Sequence, residues 1–310
     1  MAERVWVITG TSSGLGLAMA KYMLSQGDKV IATVRSLEKF PSVLEEGGAK
    51  PLIVDFNNSD DEVICAAKTA IEFYGRVDVL VNNVGGNSGV GPVEEISMDD
   101  IRSQFQTNLF GPIAFSKPFI THFRTRRAGH VLNLSSLSSM LSHPSFAAYT
   151  GSKAGLDSFT DALAAELAPF GVRVHLVLPG YFPTNIFVSH PHFKTTDTTP
   201  GPTEMPVAEG LSQVYTEESQ GWNLINTLPR NAQARGWMGD MDKFATRIYE
   251  IVTDTGMAKE LGINDEPWLR VPMGSDCGFL VQSKLNGILD NFKATEPFWR
   301  STDVYQNQKQ

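Results

Sequence analysis

Short apolar runs alternate with longer amphipathic segments along this chain, and that rhythm predicts its architecture. Val5-Trp6-Val7-Ile8-Thr9 is an apolar stretch of strand length, the pattern of a strand buried on both faces. Leu17, Met19, Ala20, Met23 and Leu24 then recur at helical spacing up to about Ser25. The same signals return downstream: strands are predicted over 29–34, 51–54 and 77–81, with a helix over about 59–74. Ser97-Met98-Asp99-Asp100 has the serine-then-acid spacing of a helix start. That helix should run towards Phe123 and kink at Pro112 and Pro118, because proline removes a backbone donor and crowds the preceding turn. Val131, Leu132 and Leu134 mark the next strand, before an Ala-rich helix from Tyr149 to about Pro169 that Gly171 ends. Further strands are predicted over 172–178 and 269–273, helices over 240–253 and 276–289, and a polar, frayed tail after Glu296. Strands alternating with helices at this spacing predict an α/β fold: a single doubly wound parallel sheet with helices on both faces and right-handed crossovers.

Between 181 and 239 the rhythm is lost. Proline, threonine and glycine mix with Phe182, Phe187, Phe193, Trp222 and Trp237 without a period. Long aperiodic stretches in compact domains are functional loops or carry short helices. Coming after a strand end, this one is predicted to be an extended lid over a bound ligand. The chain is read as one domain over 1–310, with a cofactor-binding and catalytic core over 1–188, the substrate lid over 181–239, and C-terminal helices with the last strand over 240–300.

Composition narrows the class. In 310 residues, 42% hydrophobic content with 18 Phe and 5 Trp supplies a sizeable core and excludes a disordered chain. A net charge of −8 speaks against a nucleic-acid surface. The chain has no apolar run long enough for a membrane span, and no signal-peptide architecture precedes Val5. Cys65 and Cys277 make neither a disulfide framework nor a zinc spacing, so a reducing, cytoplasmic setting is expected. The six histidines show no ligand spacing, His190-Pro191-His192 included, and no metal is expected.

Candidate chemistry gathers at the predicted strand ends. Gly10-Thr11-Ser12-Ser13-Gly14-Leu15-Gly16 joins the first strand to the first helix. Strand, Gly-rich turn and helix is a Rossmann-like way to hold a phosphate-bearing nucleotide: glycines let the backbone approach the pyrophosphate, and the helix N-terminus offers free N–H groups. The spacing here is Gly-x-x-x-Gly-x-Gly rather than Gly-x-Gly-x-x-Gly. The second strand ends at Val34, followed by Arg35 and Ser36. An acid there would accept from the adenosine ribose 2′-hydroxyl of NAD, whereas a guanidinium suits a 2′-phosphate. NADP(H) is therefore favoured over NAD(H); the competing reading of Arg35 is a solvated strand-end charge. The fourth strand runs into Asn82-Asn83-Val84-Gly85-Gly86, residues suited to a ligand crevice. Ser135 and Ser136 end the fifth, and Tyr149 and Lys153, four residues apart, share one helix face. A phenol with a pKa of about 10 exchanges protons poorly near neutrality, and a neighbouring cation favours its ionised form. Serine, tyrosine and lysine together could form a proton-transfer site. An isolated Tyr-x-x-x-Lys is more often a solvated face; the nucleotide loop gives this one something to act on.

Taken together, these residues resemble the short-chain dehydrogenase/reductase superfamily, main single-domain branch, over about residues 3–188. Thr9-Gly10-x-x-x-Gly14-x-Gly16 is similar to the family's cofactor loop, and Asn82-Asn83-Val84-Gly85 to its Asn-Asn-Ala-Gly, with Val for Ala. Asn108 falls at the catalytic Asn, and Ser136, Tyr149 and Lys153 match the active-site trio, with Ser thirteen residues before Tyr. Pro179-Gly180 and Thr184 match the motif beside the nicotinamide. The 270–276 segment, Arg-Val-Pro-Met-Gly-Ser-Asp, is more weakly similar to steroid and retinol dehydrogenase-like members.

The resemblance implies hydride transfer between NADP(H) and a ketone, aldehyde or secondary alcohol. Tyr149 would exchange the proton, Lys153 would lower its pKa and bind the nicotinamide ribose, Ser136 would hold the carbonyl oxygen, and Asn108 would hold a water in a relay to Lys153. Cofactor contacts are implied for Gly10, Thr11, Ser12, Ser13, Gly14, Leu15, Gly16, Arg35, Ser36, Asp55, Asn83, Val84, Gly85, Tyr149, Lys153, Pro179, Gly180, Phe182 and Thr184, with Asp55 near the adenine. Ser138, Phe146, Phe182 and Trp222 are expected to meet a fairly large, apolar carbonyl or alcohol substrate, while for His143, six residues before Tyr149, a plain loop role is preferred over a substrate contact. The Gly-rich C-terminal ending of tetrameric members is missing, so a monomer or homodimer is expected over a tetramer. Two other readings use the same fold: a C=C reductase or cyclase variant, and a nucleotide-binding redox-sensing regulator without turnover.

Overall fold

A strand whose successive side chains are all apolar must find cover on both faces, and β1 shows how this chain supplies it. Trp6 and Ile8 point into one core and Val5 and Val7 into another, on opposite sides of the sheet. The computed structural model describes residues 3–88, 90–184, 234–265 and 269–303. Among them run seven strands: β1 (Val5–Ile8), β2 (Lys29–Val34), β3 (Lys50–Ile53), β4 (Val79–Asn82), β5 (Gly129–Leu134), β6 (Val172–Pro179) and β7 (Arg270–Met273). All pair in parallel, in the order β3-β2-β1-β4-β5-β6-β7. The helices are α1 (Gly14–Ser25), α2 (Ser42–Glu46), α3 (Asp60–Glu72), α4 (Met98–Phe105), α5 (Gly111–Arg126), α6 (Ala147–Leu167), α7 (Met241–Thr253), α8 (Gly256–Glu260), α9 (Ser275–Ala294) and α10 (Glu296–Arg300). Met19, Met23, Leu44, Phe244 and Ile248 cover one face from α1, α2 and α7. Val63, Phe115, Phe119, Phe123 and Leu163 cover the other from α3, α5 and α6. The strand order reverses between β1 and β4, which opens a crevice at the carboxyl ends of those strands.

Two local expectations are corrected. The segment after Ser97 is interrupted not at its prolines but by a π-helical turn, Gln106–Phe110, between α4 and α5. Pro112 falls at the start of α5, where a proline is tolerated, and Pro118 sits inside α5 without ending it. The tail after Glu296 is not frayed from its start. Pro297 suits the first turn of α10, Arg300 pairs with Glu296 at 2.6 Å one turn apart, and the Trp299 indole donates to the Phe292 carbonyl at 3.1 Å. Most of the 181–239 lid lies outside the described residues, Trp222 included. Among the described residues, no helix is long and apolar enough to cross a membrane.

His130, at the start of β5, should make the fold acid-sensitive. Burial, with His175, Arg173 and Arg4 nearby, holds its imidazole down to about 3, against an opposing pull from Asp78. As pH falls from about 6.5 towards 3, the unfolded chain takes up the proton and the folded one does not, so stability is lost across that window. His130→Gln should flatten the acid limb of stability against pH by on the order of 2 kcal/mol. Urea unfolding of both proteins between pH 4 and 7 reads this directly.

Candidate active site

Gly10 ends β1 with φ +70°, a backbone conformation that a side chain disfavours, and so turns the chain sharply into α1. Its N–H donates to Thr33 Oγ1 at 3.0 Å, and Thr11 is bound through both N–H and hydroxyl to the Thr33 carbonyl. Asn83 clamps the same loop from β4: its Nδ2 donates to the carbonyls of Thr9 (2.7 Å) and Gly10 (3.2 Å). Gly16 lies so close under this clamp that a Cβ there would stand 2.3 Å from the Gly10 carbonyl oxygen. Ser13 stands at the N-cap of α1, and the first turn carries no acid. The loop therefore offers a positive helix end and closely approachable backbone, the requirements for a pyrophosphate.

This loop forms one wall of a crevice of about 470 Å³. At one end Arg35 follows β2, and Lys39 comes back to the same wall from a short 3-10 turn, Leu37–Lys39. Asp55 lines this end too, its Oδ1 engaged by the N–H of Asn57 at 3.0 Å. At the other end stand Ser136, Tyr149 and Lys153. β5 delivers Ser136 just past its carboxyl end, where its Oγ accepts from the Ser138 N–H at 3.1 Å and hydrogen-bonds the Tyr149 side chain. The Lys153 ammonium donates to the Leu134 carbonyl at 2.8 Å. One turn on along α6, Asp157 accepts from the Ser135 hydroxyl. A buried amide network, Asn82 to Ser116 and Asn133 and on to Thr160, ties β4, β5, α5 and α6 together beneath the site.

Electrostatics at this end are set by burial. It pushes the Tyr149 phenol up, against the Ser136 hydrogen bond, which acts downward. It also lowers the Lys153 ammonium to about 8, against the Asp157 carboxylate, which acts upward. This departs from the expectation that Lys153 lowers the Tyr149 pKa: desolvation wins, and the downward influence on the phenol comes from Ser136. Burial likewise pushes the Asp276 carboxyl up, and the Tyr181 phenol well above its usual range.

Of the residues singled out from sequence, Gly10, Ser12, Ser13, Gly14, Leu15, Arg35, Asp55, Asn83, Val84, Gly85, Ser136, Tyr149, Lys153, Pro179, Gly180, Phe182 and Thr184 line the crevice, as do Ser138 and Phe146. Thr11, Gly16 and Ser36 do not: the first two brace the loop from behind, and Ser36 opens the 3-10 turn. Asn108 is fully buried in the π-helical turn behind Gly86, bonded to its N–H (2.9 Å) and carbonyl (3.1 Å) and to Ser152 Oγ (3.0 Å). Gly85 lies between Asn108 and Lys153, with a Cβ there 3.6 Å from Asn108 Oδ1 and 3.4 Å from Lys153 Nζ. Phe182 also packs edge-on against Phe244 of α7 at 5.1 Å. Sequence reasoning missed Lys39, Asn57, Asn87, Ser88 and Tyr181, and took His143, which lines the crevice, for a plain loop residue. Only Lys39 carried a usable signal, a second cation four residues after Arg35.

Residues 4–194 match the family described as short chain dehydrogenase. The chain is 36% identical to Oxidoreductase BOA17 of Botryotinia fuckeliana over 180 residues, covering 57% of this chain and 65% of that protein. It is 34% identical to the uncharacterized oxidoreductase YusZ of Bacillus subtilis over 259 residues, covering 82% and 86%. The chain thus spans a little under two thirds of the first relative and most of the second. Its fold superposes on the crystal structure of a short-chain dehydrogenase from Streptomyces avermitilis with a TM-score of 0.78 at 29% identity, covering 97% and 99% of the two chains. A metagenomic short-chain oxidoreductase, solved in complex with NADP, matches with a TM-score of 0.56 at 33% identity over 57% and 81%.

Proposed function

The chain belongs to the short-chain dehydrogenase family, and from that premise we propose that it is an NADP(H)-dependent oxidoreductase interconverting a ketone or aldehyde and its alcohol. The observation that carries the reading is that Ser136, Tyr149 and Lys153 line one crevice with the 10–14 loop and Arg35. The residues present fit a nicotinamide dinucleotide. The crevice wall at Gly10 and Gly14 is backbone at the N-terminus of α1, both glycines with positive φ, and Arg35 and Lys39 supply two cations where a 2′-phosphate would lie. The NADP complex of the metagenomic relative supports the same choice.

When bound, NADPH supplies the hydride that reduces the carbonyl carbon. The protein's part is to place and polarise the carbonyl and to manage one proton. Tyr149 donates its phenolic proton to the carbonyl oxygen as charge develops there; in alcohol oxidation it takes that proton back. Its burial, which favours the protonated phenol, suits the donor role. Ser136, already bonded to Tyr149, offers a second polar group to the same oxygen. Lys153 brings positive charge under the phenolate that forms, and Asp157 keeps that charge from being lost to desolvation. Asn108 fixes Gly86 and the wall behind Lys153 and would hold the relay water. The free cysteines Cys65 and Cys277 support a reducing, cytoplasmic setting, and a monomer or homodimer remains our reading of the assembly.

Cofactor choice has its own test. Arg35→Asp replaces a 2′-phosphate partner with a repelling carboxylate. It should lower kcat/KM for NADPH by about tenfold or more and move the NADPH:NADH ratio towards NADH. Steady-state rates with both cofactors measure this, and an unchanged ratio would remove the NADP assignment.

A further inference from the structure

Three consecutive residues at the exit of β5 are bonded to three successive turns of α6. Tyr149, Lys153 and Asp157 follow one another at four-residue spacing within α6, which sets their side chains along one face. The Tyr149 side chain hydrogen-bonds Ser136, the Lys153 ammonium donates to the Leu134 carbonyl at 2.8 Å, and Asp157 Oδ1 accepts from the Ser135 hydroxyl. Of these six residues, Asp157 alone does not line the crevice. It is buried, as is Ser135, and a buried carboxylate is costly unless it is bonded. Facing it are Lys153 from its own helix, Arg270 from β7, and the Ser135 and Ser139 hydroxyls. Burial pushes its carboxyl up, and these four act downward. Arg270 is shared with Asp161, to which it donates at 2.7 Å. The Ser135 backbone is held as well, because its N–H donates to the Val177 carbonyl of β6 at 2.8 Å. Ser135 is thus tied to β6 by its backbone and to α6 by its side chain. Its two chain neighbours, Leu134 and Ser136, hold Lys153 and Tyr149.

We propose that Asp157 is a positioning residue for the reaction at Tyr149: by fixing the Ser135 hydroxyl, it sets where Ser136 and the Leu134 carbonyl stand against α6. Without this tether the β5 exit loses its side-chain bond to the third turn of that face, and both contacts are free to drift from Tyr149 and Lys153. Displacements of about 1 Å at a reacting centre can cost on the order of 10²-fold in rate. The charge of Asp157 adds a second action, since it opposes the loss of the Lys153 ammonium to burial. The two actions separate by substitution. Asparagine keeps an oxygen that accepts from Ser135 but carries no charge, whereas valine, close to aspartate in size, has neither. The proposal rests on the reductase reading above and adds to it a residue that acts from outside the crevice.

Kinetics are read with NADPH and 2-hexanone or acetophenone at pH 6.5, where Lys153 is charged. Asp157→Val and Ser135→Ala should each lower kcat by on the order of tenfold, with KM for NADPH within about threefold of wild type. Because both remove one tether, the double variant should lose no more than about threefold beyond either single. Asp157→Asn should keep kcat at pH 6.5 within about threefold of wild type, yet lose it at a lower pH on the alkaline side. Losses that multiply in the double variant, or wild-type kcat in Asp157→Val, would overturn the proposal. Should Asp157→Val not fold, wild-type kcat in Ser135→Ala would overturn it instead. A second measurement needs no turnover. In protein labelled with ¹⁵N at the lysine Nζ, the resonance missing from Lys153→Met is followed from pH 6 to 10. Its midpoint, about 8 in wild type, should move to lower pH in Asp157→Asn and further in Asp157→Val, where the Leu134 carbonyl is no longer held in place. That order supports the proposal even where neither ketone is reduced, a result that counts against the reductase reading alone. An unchanged midpoint in Asp157→Val, or the same midpoint in both variants, would overturn it.

Discussion

Tyr149→Phe is expected to lower kcat for NADPH-dependent ketone reduction by about 10²–10⁴-fold while leaving NADPH affinity within a few-fold of wild type. The substitution removes one oxygen from a ring that keeps its packing, including the edge-on contact with Phe146 at 6.2 Å. Ser136 loses its bond to the phenol, but it retains the Ser138 N–H as a donor to its Oγ, so the 3-10 turn that it caps, Leu137–Ser139, should persist. The lost activity would therefore report the missing proton rather than a collapsed site. The pH profile carries a second signature. Lys153 has its ammonium lowered to about 8 by burial, so the positive charge one helical turn from Tyr149 should be lost as pH rises through that value. Wild-type kcat for reduction should then fall on the alkaline side of about pH 8, and Tyr149→Phe, with little proton transfer left to assist, should show a flatter profile. Rates from pH 6 to 10, paired with NADPH titrations, measure both.

Gly180→Ala should be the most damaging single methyl group in the crevice wall. A Cβ on Gly180 would lie 2.1 and 2.3 Å from the two carboxylate oxygens of Asp276, which is fully buried in the first turn of α9. Neither partner has room to yield. The Gly180 N–H is bonded to the Met273 carbonyl at 2.8 Å, and Asp276 Oδ2 accepts from the Tyr181 N–H at 2.6 Å. Relief requires moving β6 away from α9, which displaces Pro179, Tyr181 and Phe182 from the crevice. A loss of about 3 kcal/mol is expected, with weakened NADPH binding. Gly278→Ala, two residues along the same helix and with nothing within 4 Å of the new methyl, should instead be neutral or stabilising by about 0.5–1 kcal/mol. Denaturant unfolding of the pair separates overlap from a general intolerance of α9 to change.

The legible parts of this molecule were those specified by local pattern. Near-continuous apolar runs announced β1 and β2 because parallel strands covered on both faces carry no polar alternation. The Gly-rich loop, the strand-end serine and the Tyr149–Lys153 pair were legible because their spacing is itself the geometry. What stayed hidden depends on tertiary approach. Lys39 reaches the Arg35 wall through a 3-10 turn that sequence gave no reason to draw, and Gln104 looks like any polar residue on α4 until Gly86 and Ser88 are seen beside it. The Tyr149 phenol shows the limit from the other side. Charge proximity along a helix predicted a downward shift, but burial, invisible in spacing, pushes the phenol up, and the opposing influence comes from Ser136. The tail past Glu296 was misjudged by composition, because a polar sequence with Pro297 in a first turn is as good a helix start as it is a loop.

If this crevice holds NADPH for carbonyl reduction, the hydride goes to the carbonyl carbon and Tyr149 supplies the proton. This is tested most directly by following the label from NADPH deuterated at nicotinamide C4 into the alcohol product, in wild type and Tyr149→Phe. One deuterium is expected at the carbinol carbon of the wild-type product, with near-complete loss of that product in the variant. Label appearing at a C=C position, or an equal yield of labelled alcohol from Tyr149→Phe, would contradict it.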